Sequence, residues 1–472
     1  MKMKGKKIFI GIFVLLALGL ISGCGCKQKS AKQFDLKLEV WGLFDDSDVF
    51  GEIFETYTKI NPNISKVEYR KFTPETYKKD LLEALASGQG PDIFLISSTW
   101  LPGFLDKIYP APATILNEQR FRNNFVDVVI SDFLYKGQVF AVPLTVDSLG
   151  LYYNKDLFNE AGITAPPQNW EEFVEDCKKL SKVTSDGRIL QSAVAMGTAY
   201  NINRSTDVLG LLMLQNKTEM VDLNSLQATF DRSIGRNGVS VSPGENSLKF
   251  YTQFAKSGGD NPYSWNPQMH YSIDAFAEGN LAMMFNYSWH RDTLTAKSPK
   301  LNFEVAAVPQ LSGNPAVNYA NYWGFAVAGN KKISNTGTPN PAFIPITEEI
   351  RVAEAWKLLN YLTTRPEQSL GQIAAAAGIK NNIAIDFDPT KVYLGKTKKP
   401  SGRKDLIEIQ KSDPKIGVFA QQNLIAKSWY QVDPESIEII LAEMIDKVNR
   451  GQAEVEEAIR AAAAQVGQLM SQ

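Results

Sequence analysis

Leu36-Lys37-Leu38-Glu39-Val40-Trp41 alternates apolar and polar residues, the period-two pattern of a strand, and the segments immediately after it decide the fold. Residues 47–59 place Phe50, Ile53, Phe54 and Tyr57 at i, i+3, i+4 and i+7, the spacing of a helix with one apolar face. Val67-Glu68-Tyr69 predicts a second short strand. Thr73-Pro74 then opens a helix as N-cap and first helical residue, and Gly88 closes it. Pro91-Asp92 leads into Ile93-Phe94-Leu95-Ile96, an unbroken apolar run suited to a strand covered on both faces. Strand, helix, strand, helix, strand is the rhythm of a parallel α/β sheet. Right-handed crossovers put the loops after Trp41 and Ile96 at one carboxyl edge, where open α/β sheets bind ligands.

Further along, Gln138–Val146 and Ser148–Tyr153 read as two strands joined with almost no loop. Asn169-Trp170-Glu171-Glu172 is a capping box, with Trp170, Phe173, Val174, Cys177 and Leu180 as the helical stripe behind it. Ala275–Phe285 is expected to be helical with an interruption at Gly279. Strands are expected at 303–308 and 323–328, and a helix at 348–363. The Lys-, Pro- and Gly-rich stretch 380–411 predicts loop or short elements. Asp433-Pro434 opens a long helix, and Ala453–Leu469 forms the last one.

Outward in the other direction, Met1–Lys7 carries four Lys, and Ile8–Ile21 is continuously apolar or small. Fourteen residues fall short of the roughly 20 needed to span a bilayer, and the pattern is that of a secretory signal. Ile21-Ser22-Gly23-Cys24 resembles the lipobox of bacterial lipoproteins, which implies cleavage before Cys24 and a diacylglycerol on its thiol. Residues 1–23 are therefore expected as signal peptide and 24–35 as a lipidated tether, leaving the molecule on the extracytoplasmic face of a bacterial cell membrane. Cys26 falls in the tether and Cys177 in a helix, so no disulfide is expected.

The whole chain has 472 residues, is 44% hydrophobic and 21% charged, and has a formal charge of −1, which falls to −5 once the four leader Lys are removed. No surplus of positive charge is available for phosphates, so a nucleic-acid partner is not expected. Two His and three Cys do not suggest a metal centre, and no cofactor motif appears, so neither metal nor cofactor is expected.

Four passages in order resemble the bacterial extracellular solute-binding lipoproteins of sugar ABC transporters, the maltose-binding-protein-like family. They are Gly90-Pro91-Asp92-Ile93; Val142 to Phe158, including Tyr153-Asn154-Lys155-Asp156; Pro166-Pro167-Gln168-Asn169-Trp170-Glu171-Glu172; and Phe276 to Met284 with Trp289 beyond. The resemblance implies a two-lobed α/β fold of the periplasmic-binding-protein kind, each lobe a mostly parallel sheet flanked by helices. Lobe 1 would comprise residues 36–145 and 324–412, and lobe 2 residues 146–323 and 413–472. Hinge crossings are expected near Thr145–Ser148, Tyr322–Gly324 and Ser412–Pro414. It also implies a monomer that closes on a small-molecule solute, carbohydrate first, and hands it to ABC transporter permease subunits.

A sugar needs aromatic faces and directed hydrogen-bonding groups. The edge loops after the first and third strands supply Trp41, Asp45, Asp46 and Ser98, although the two Asp would equally serve as helix caps. Asp147 sits in the proposed hinge, where maltose-binding members use a ligand-contacting Glu. Trp289 matches the family's sugar-stacking Trp, and Trp323, Trp429 and Tyr200 complete the candidate ligand-binding set. Where those members carry a Trp-Tyr pair near the C-terminus, this chain reads Ile439-Ile440, so one platform is expected to be missing. The rival readings are a binding protein for polyamines or phosphate esters and an exported two-carboxylate glycosidase. Anion capture is disfavoured because no inferred cleft position is Lys or Arg. Against the glycosidase, no catalytic motif appears, and the chain is expected not to be an enzyme.

Overall fold

The computed structural model describes residues 33–236, 238–333, 343–376 and 387–471. The leader, Cys24 and Cys26 lie outside them. β1 (Leu36–Gly42), α1 (Ser47–Ile60), β2 (Ile64–Lys71), α2 (Pro74–Ser87) and β3 (Ile93–Ser97) follow the expected rhythm, with β1 between β2 and β3 and parallel to both. α1 buries Phe50, Ile53, Phe54 and Tyr57 against the sheet. α2 begins at Pro74 and ends on Gly88, whose φ of 72° is the left-handed conformation that glycine adopts freely. The Tyr77 hydroxyl donates to the Leu95 carbonyl (2.8 Å) and pins α2 to β3. Asp92, 2% exposed, accepts from the Glu39 amide (2.8 Å) and Lys331 (2.9 Å) and lies 3.5 Å from the buried Arg351. That compensation is what lets an acid sit between strands. The sheet is completed by Trp323–Ala328, antiparallel to β3, with Ile108–Tyr109 and Ala141–Val142 paired to it.

The second sheet runs Phe303–Ala306, Gly150–Asn154, Leu281–Asn286, Ile189–Val194, Lys182–Val183. Here the expectation of a mostly parallel sheet is corrected: only Ile189–Val194 and Leu281–Asn286 run parallel. The reason is connectivity. Gly150–Asn154 runs away from the inter-lobe connection, while Leu281–Asn286 runs back toward it, pairing Asn286 with Gly150. The expected helix at 275–285 is likewise corrected to a helix, Ser272–Ala277, and this strand, broken at Gly279 with φ 79°. Leu281–Asn286 is buried on both faces, and a run apolar on every side carries no period to distinguish strand from helix. The stretch after 387 holds two short helices, Pro389–Thr397 and Lys404–Gln410.

Two bodies of core result. One draws on residues 34–146, 320–328 and 352–407 with Ala420 and Ala426, the other mainly on 149–319 and 429–470. Between them three segments of chain are laced together. Thr145 bridges Ser401, Ser148 bridges Ala320, and Asn318–Tyr319 pairs in parallel with Ala426–Lys427. The Asn423 amide donates to the Val146 carbonyl (2.6 Å) and accepts from the Ser148 hydroxyl (2.9 Å). Gly150 must be glycine, because a Cβ there would stand 2.7 Å from both Phe419 and Val305.

Candidate functional site

The carboxyl ends of β1 and β3, the laced connection and the start of helix Pro434–Asn449 enclose a cleft of about 580 Å³ between the two bodies. Its size is ordinary for a small-molecule site. The lobe-1 wall is aromatic. Trp323, first residue of its strand, meets Trp100 edge-on (centroids 4.9 Å apart, planes at 72°) and Phe44 likewise (5.7 Å, 71°). Trp100 in turn stacks on Phe104 (5.6 Å, 11°). Each ring is thus held by another, in the edge-to-face and offset geometries that aromatic quadrupoles favour.

The lobe-2 wall mixes rings with charge. Trp289, 40% exposed, stacks on buried Tyr287 (4.7 Å, 18°), and the Tyr287 hydroxyl donates to Asp207 (2.7 Å). Burial raises the Asp207 carboxyl above its ordinary range, with Arg204 and the Tyr287 hydrogen bond pulling the other way. Glu435, Ile437, Glu438 and Leu441 face the cleft from the C-terminal helix. At one end of the cleft Lys78 of α2 reaches across to Glu435 (3.5 Å) and Asp433 (4.0 Å).

Asp147 lies where the first connecting segment meets lobe 2. Its carboxylate accepts from the Ser148 amide (2.9 Å) and from both the amide (3.0 Å) and hydroxyl of Ser288, the residue before Trp289. Burial nonetheless drives its pKa from 3.8 to about 7, against those hydrogen bonds and the nearby Lys399. Asp132 on the lobe-1 side is its counterpart. It accepts from the Tyr322 hydroxyl (2.6 Å) and from Ser428, tying the second and third connecting segments, and burial again lifts it to about 7.

Of the residues singled out in the sequence, Ser98, Asp147, Trp289, Trp323 and Trp429 line the cleft. Trp41, Asp45, Asp46 and Tyr200 do not. Trp41 is buried against Phe72 with its indole N–H on Glu39 (2.7 Å). Asp45 is consumed by Tyr393 (2.7 Å) and Lys399 (2.6 Å). Asp46 occupies the N-cap of α1 but bonds Lys71 (2.8 Å) instead of capping, and Tyr200 is 62% exposed elsewhere. Arg204, Asp207, Glu435, Glu438 and Lys399 line the cleft and were missed, so the premise that it lacks Lys and Arg is also corrected. The acids in the first turns of two helices were the available signal. Ile439 and Ile440 do not line it; Ile437 and Leu441 present the apolar surface of that helix. Among the described residues no cluster of three His, Cys, Asp or Glu is arranged to hold a metal.

Two lobes laced by three segments, with rings and hydrogen-bonding groups facing each other across a cleft, have the architecture of proteins that bind a ligand between two lobes. The chain belongs to the bacterial extracellular solute-binding protein family, whose profile matches residues 44–369. The maltotriose-binding protein of Pyrococcus abyssi is 22% identical over 368 residues, covering 76% of this chain and 71% of that one. In structure the chain is similar to the cyclic alpha-maltosyl-1,6-maltose binding protein from Arthrobacter globiformis, with a TM-score of 0.69 and 17% identity over 92% of this chain and 99% of that one. It is also similar to a sugar-binding protein from Xanthomonas citri, with a TM-score of 0.66 and 19% identity over 92% and 98%. These structural likenesses concern the fold.

Proposed function

We propose that this chain is the lipid-anchored receptor of an ABC importer. It captures a sugar or oligosaccharide between its lobes, residues 36–145 with 324–412 and 146–323 with 413–472 except that Trp323 pairs into the first sheet, and presents it to permease subunits as a monomer, without turnover. The observation that carries this reading is the pairing of aromatic faces with hydrogen-bonding side chains across the cleft. Trp100, Trp323 and Trp289 offer flat surfaces for the C–H faces of a sugar ring, while Ser98, Asn321, Gln431, Arg204 and Glu438 offer donors and acceptors for its hydroxyls. The names of relatives, a maltotriose-binding protein among them, point the same way. Cys24 would carry the anchor.

The charged groups weigh against the rivals. Lys399 is paired with Asp45, and Arg204 lies beside Asp207, so neither cation stands free of a neighbouring carboxylate to favour a phosphate ester. Asp147 is 6% exposed and engaged by three donors, which suits a structural acceptor better than the acid of a glycosidase. Thermal shift and calorimetry against a glycan panel test the reading. A neutral sugar should raise the melting temperature; stabilisation by amines or phosphate esters and by no glycan would overturn it.

A further inference from the structure

Three of the cleft tryptophans follow directly on a residue whose side chain bonds a carboxyl at the laced connection. Tyr322, before Trp323, donates its hydroxyl to Asp132 at 2.6 Å. Ser428, before Trp429, donates its hydroxyl to the other oxygen of the same carboxyl. Ser288, before Trp289, donates its amide (3.0 Å) and its hydroxyl to one oxygen of Asp147. The Asp147 carbonyl also accepts from the Asn321 amide (2.9 Å), so both acids grip the short segment that leads into Trp323. The three rings come from three separate stretches of chain and line one cleft, yet two carboxyls hold the residue behind each.

Each carboxyl has two ways of meeting its partners. An ionised carboxylate only accepts, whereas a protonated one must also donate. At Asp147 two of the three donors are backbone amides, which cannot accept. Among its partners only the Ser288 hydroxyl can therefore take a hydrogen bond from it, and that bond must reverse. At Asp132 the Tyr322 hydroxyl has a second acceptor in reach, the Val128 carbonyl at 3.3 Å, to which it turns when the carboxyl becomes a donor. Facing Asp147 are Lys399, which is held by Asp45 at 2.6 Å, and Tyr152, whose hydroxyl is spent on the Tyr287 carbonyl at 2.6 Å. Facing Asp132 are Tyr322 and Tyr319, while Asp127 at the start of its helix is paired with Lys404 (3.1 Å). Among the described residues no cation forms an ion pair with either acid. Burial brings both to about 7, so both arrangements are within reach near neutral pH.

We propose that Asp132 and Asp147 are positioning residues for the cleft tryptophans, each acting through the residue before the ring, and that gain or loss of a proton at either acid moves the rings. The proposal concerns the protein before any solute binds and does not rest on the solute being a sugar. Fluorine NMR tests it on the full mature chain, labelled with fluorotryptophan at its eight tryptophans and titrated across about pH 5 to 9. Resonances of Trp289, Trp323 and Trp429 should each shift in one step with a midpoint at about 7, while those of the core residues Trp265 and Trp356 stay in place. Asp147→Asn should abolish the step at Trp289 and leave that at Trp429; Asp132→Asn should do the opposite. A merely structural acid would produce neither pattern. His290 also lies near Trp289, but it titrates at about 4, below this window. A step owed to Asp207, which holds the Tyr287 hydroxyl, would survive Asp147→Asn. Ser428→Ala keeps both carboxyls and should lose the Trp429 step alone, so the proposal stays testable if an Asn variant does not fold. Flat resonances at the three rings overturn it, as does a Trp289 step that survives Asp147→Asn. Steps of equal size at Trp265 and Trp356 overturn it too, because they report a change of the whole fold.

Discussion

The two walls of the cleft are built on opposite principles. Phe44, Trp100 and Trp323 on lobe 1 brace one another and continue into the core through Phe104 and Tyr77. On lobe 2, the exposed Trp289 indole shares the cleft wall with Arg204, Asp207, Glu435 and Glu438. Flat faces attract a ring in almost any rotation about its normal, whereas hydrogen-bonding groups accept few orientations. On the proposed reading, the contrast would give adhesion to lobe 1 and orientation to lobe 2.

The comparison can be tested first where the walls meet. Asp132 and Asp147 keep their protons up to about pH 7 in the folded chain, but as unfolded carboxyls they lose them near 3.8. The folded state then binds more protons, so their contribution makes stability fall as pH rises from about 4 through 7 and level off above. At ~1.4 kcal/mol for each tenfold change in acidity, each group's effect is on the order of a few kcal/mol. Denaturant titrations across that window should show a shallower decline in the Asp132→Asn, Asp147→Asn double variant; an unchanged slope would contradict the buried-proton account. Next, Trp323→Ala should lower stability by about 3 kcal/mol, as loss of a large packed side chain does, and weaken binding as well. Trp289→Ala should separate the two quantities, costing well under about 1 kcal/mol of stability at a 40% exposed site while weakening sugar binding by about tenfold. Equal stability losses at the two tryptophans would erase the distinction between walls. Smallest is Lys78→Met, which removes the ion pair across the cleft end. A partly exposed pair contributes roughly 0.2–1 kcal/mol, so affinity should shift a few-fold at low salt and hardly at all at high salt.

Legibility in the sequence tracks the range of the interactions responsible. α1, α2 and the capping box at Asn169 are written locally, in apolar spacing and in a side chain that reaches three residues along: Asn169 accepts from the Glu172 amide at 2.8 Å. Trp289 and Trp323 were legible through the family resemblance, whereas strand-end topology found Ser98 but also pointed to Trp41, which lies in the core. Leu281–Asn286 was not legible, because burial on both faces removes the period. Arg204 and Glu438 were not either. Each sits near the start of a different helix, and only the packing of those helices puts them at one cleft. Asp45 misled for the same reason in reverse, since Lys399 and Tyr393 reach it from far along the chain.

The strand Trp323–Ala328 lies between β3 and Ile108–Tyr109 in the first sheet. During synthesis, the first lobe therefore waits with an open edge on β3 until residue 328 arrives, after most of the second lobe has been made. An unpaired edge of that length is a template for wrong pairing. The topology thus favours a first lobe that completes its sheet only after residue 328 is available. A strand supplied from beyond most of the second lobe ties the completion of the earlier lobe to the synthesis of the later one.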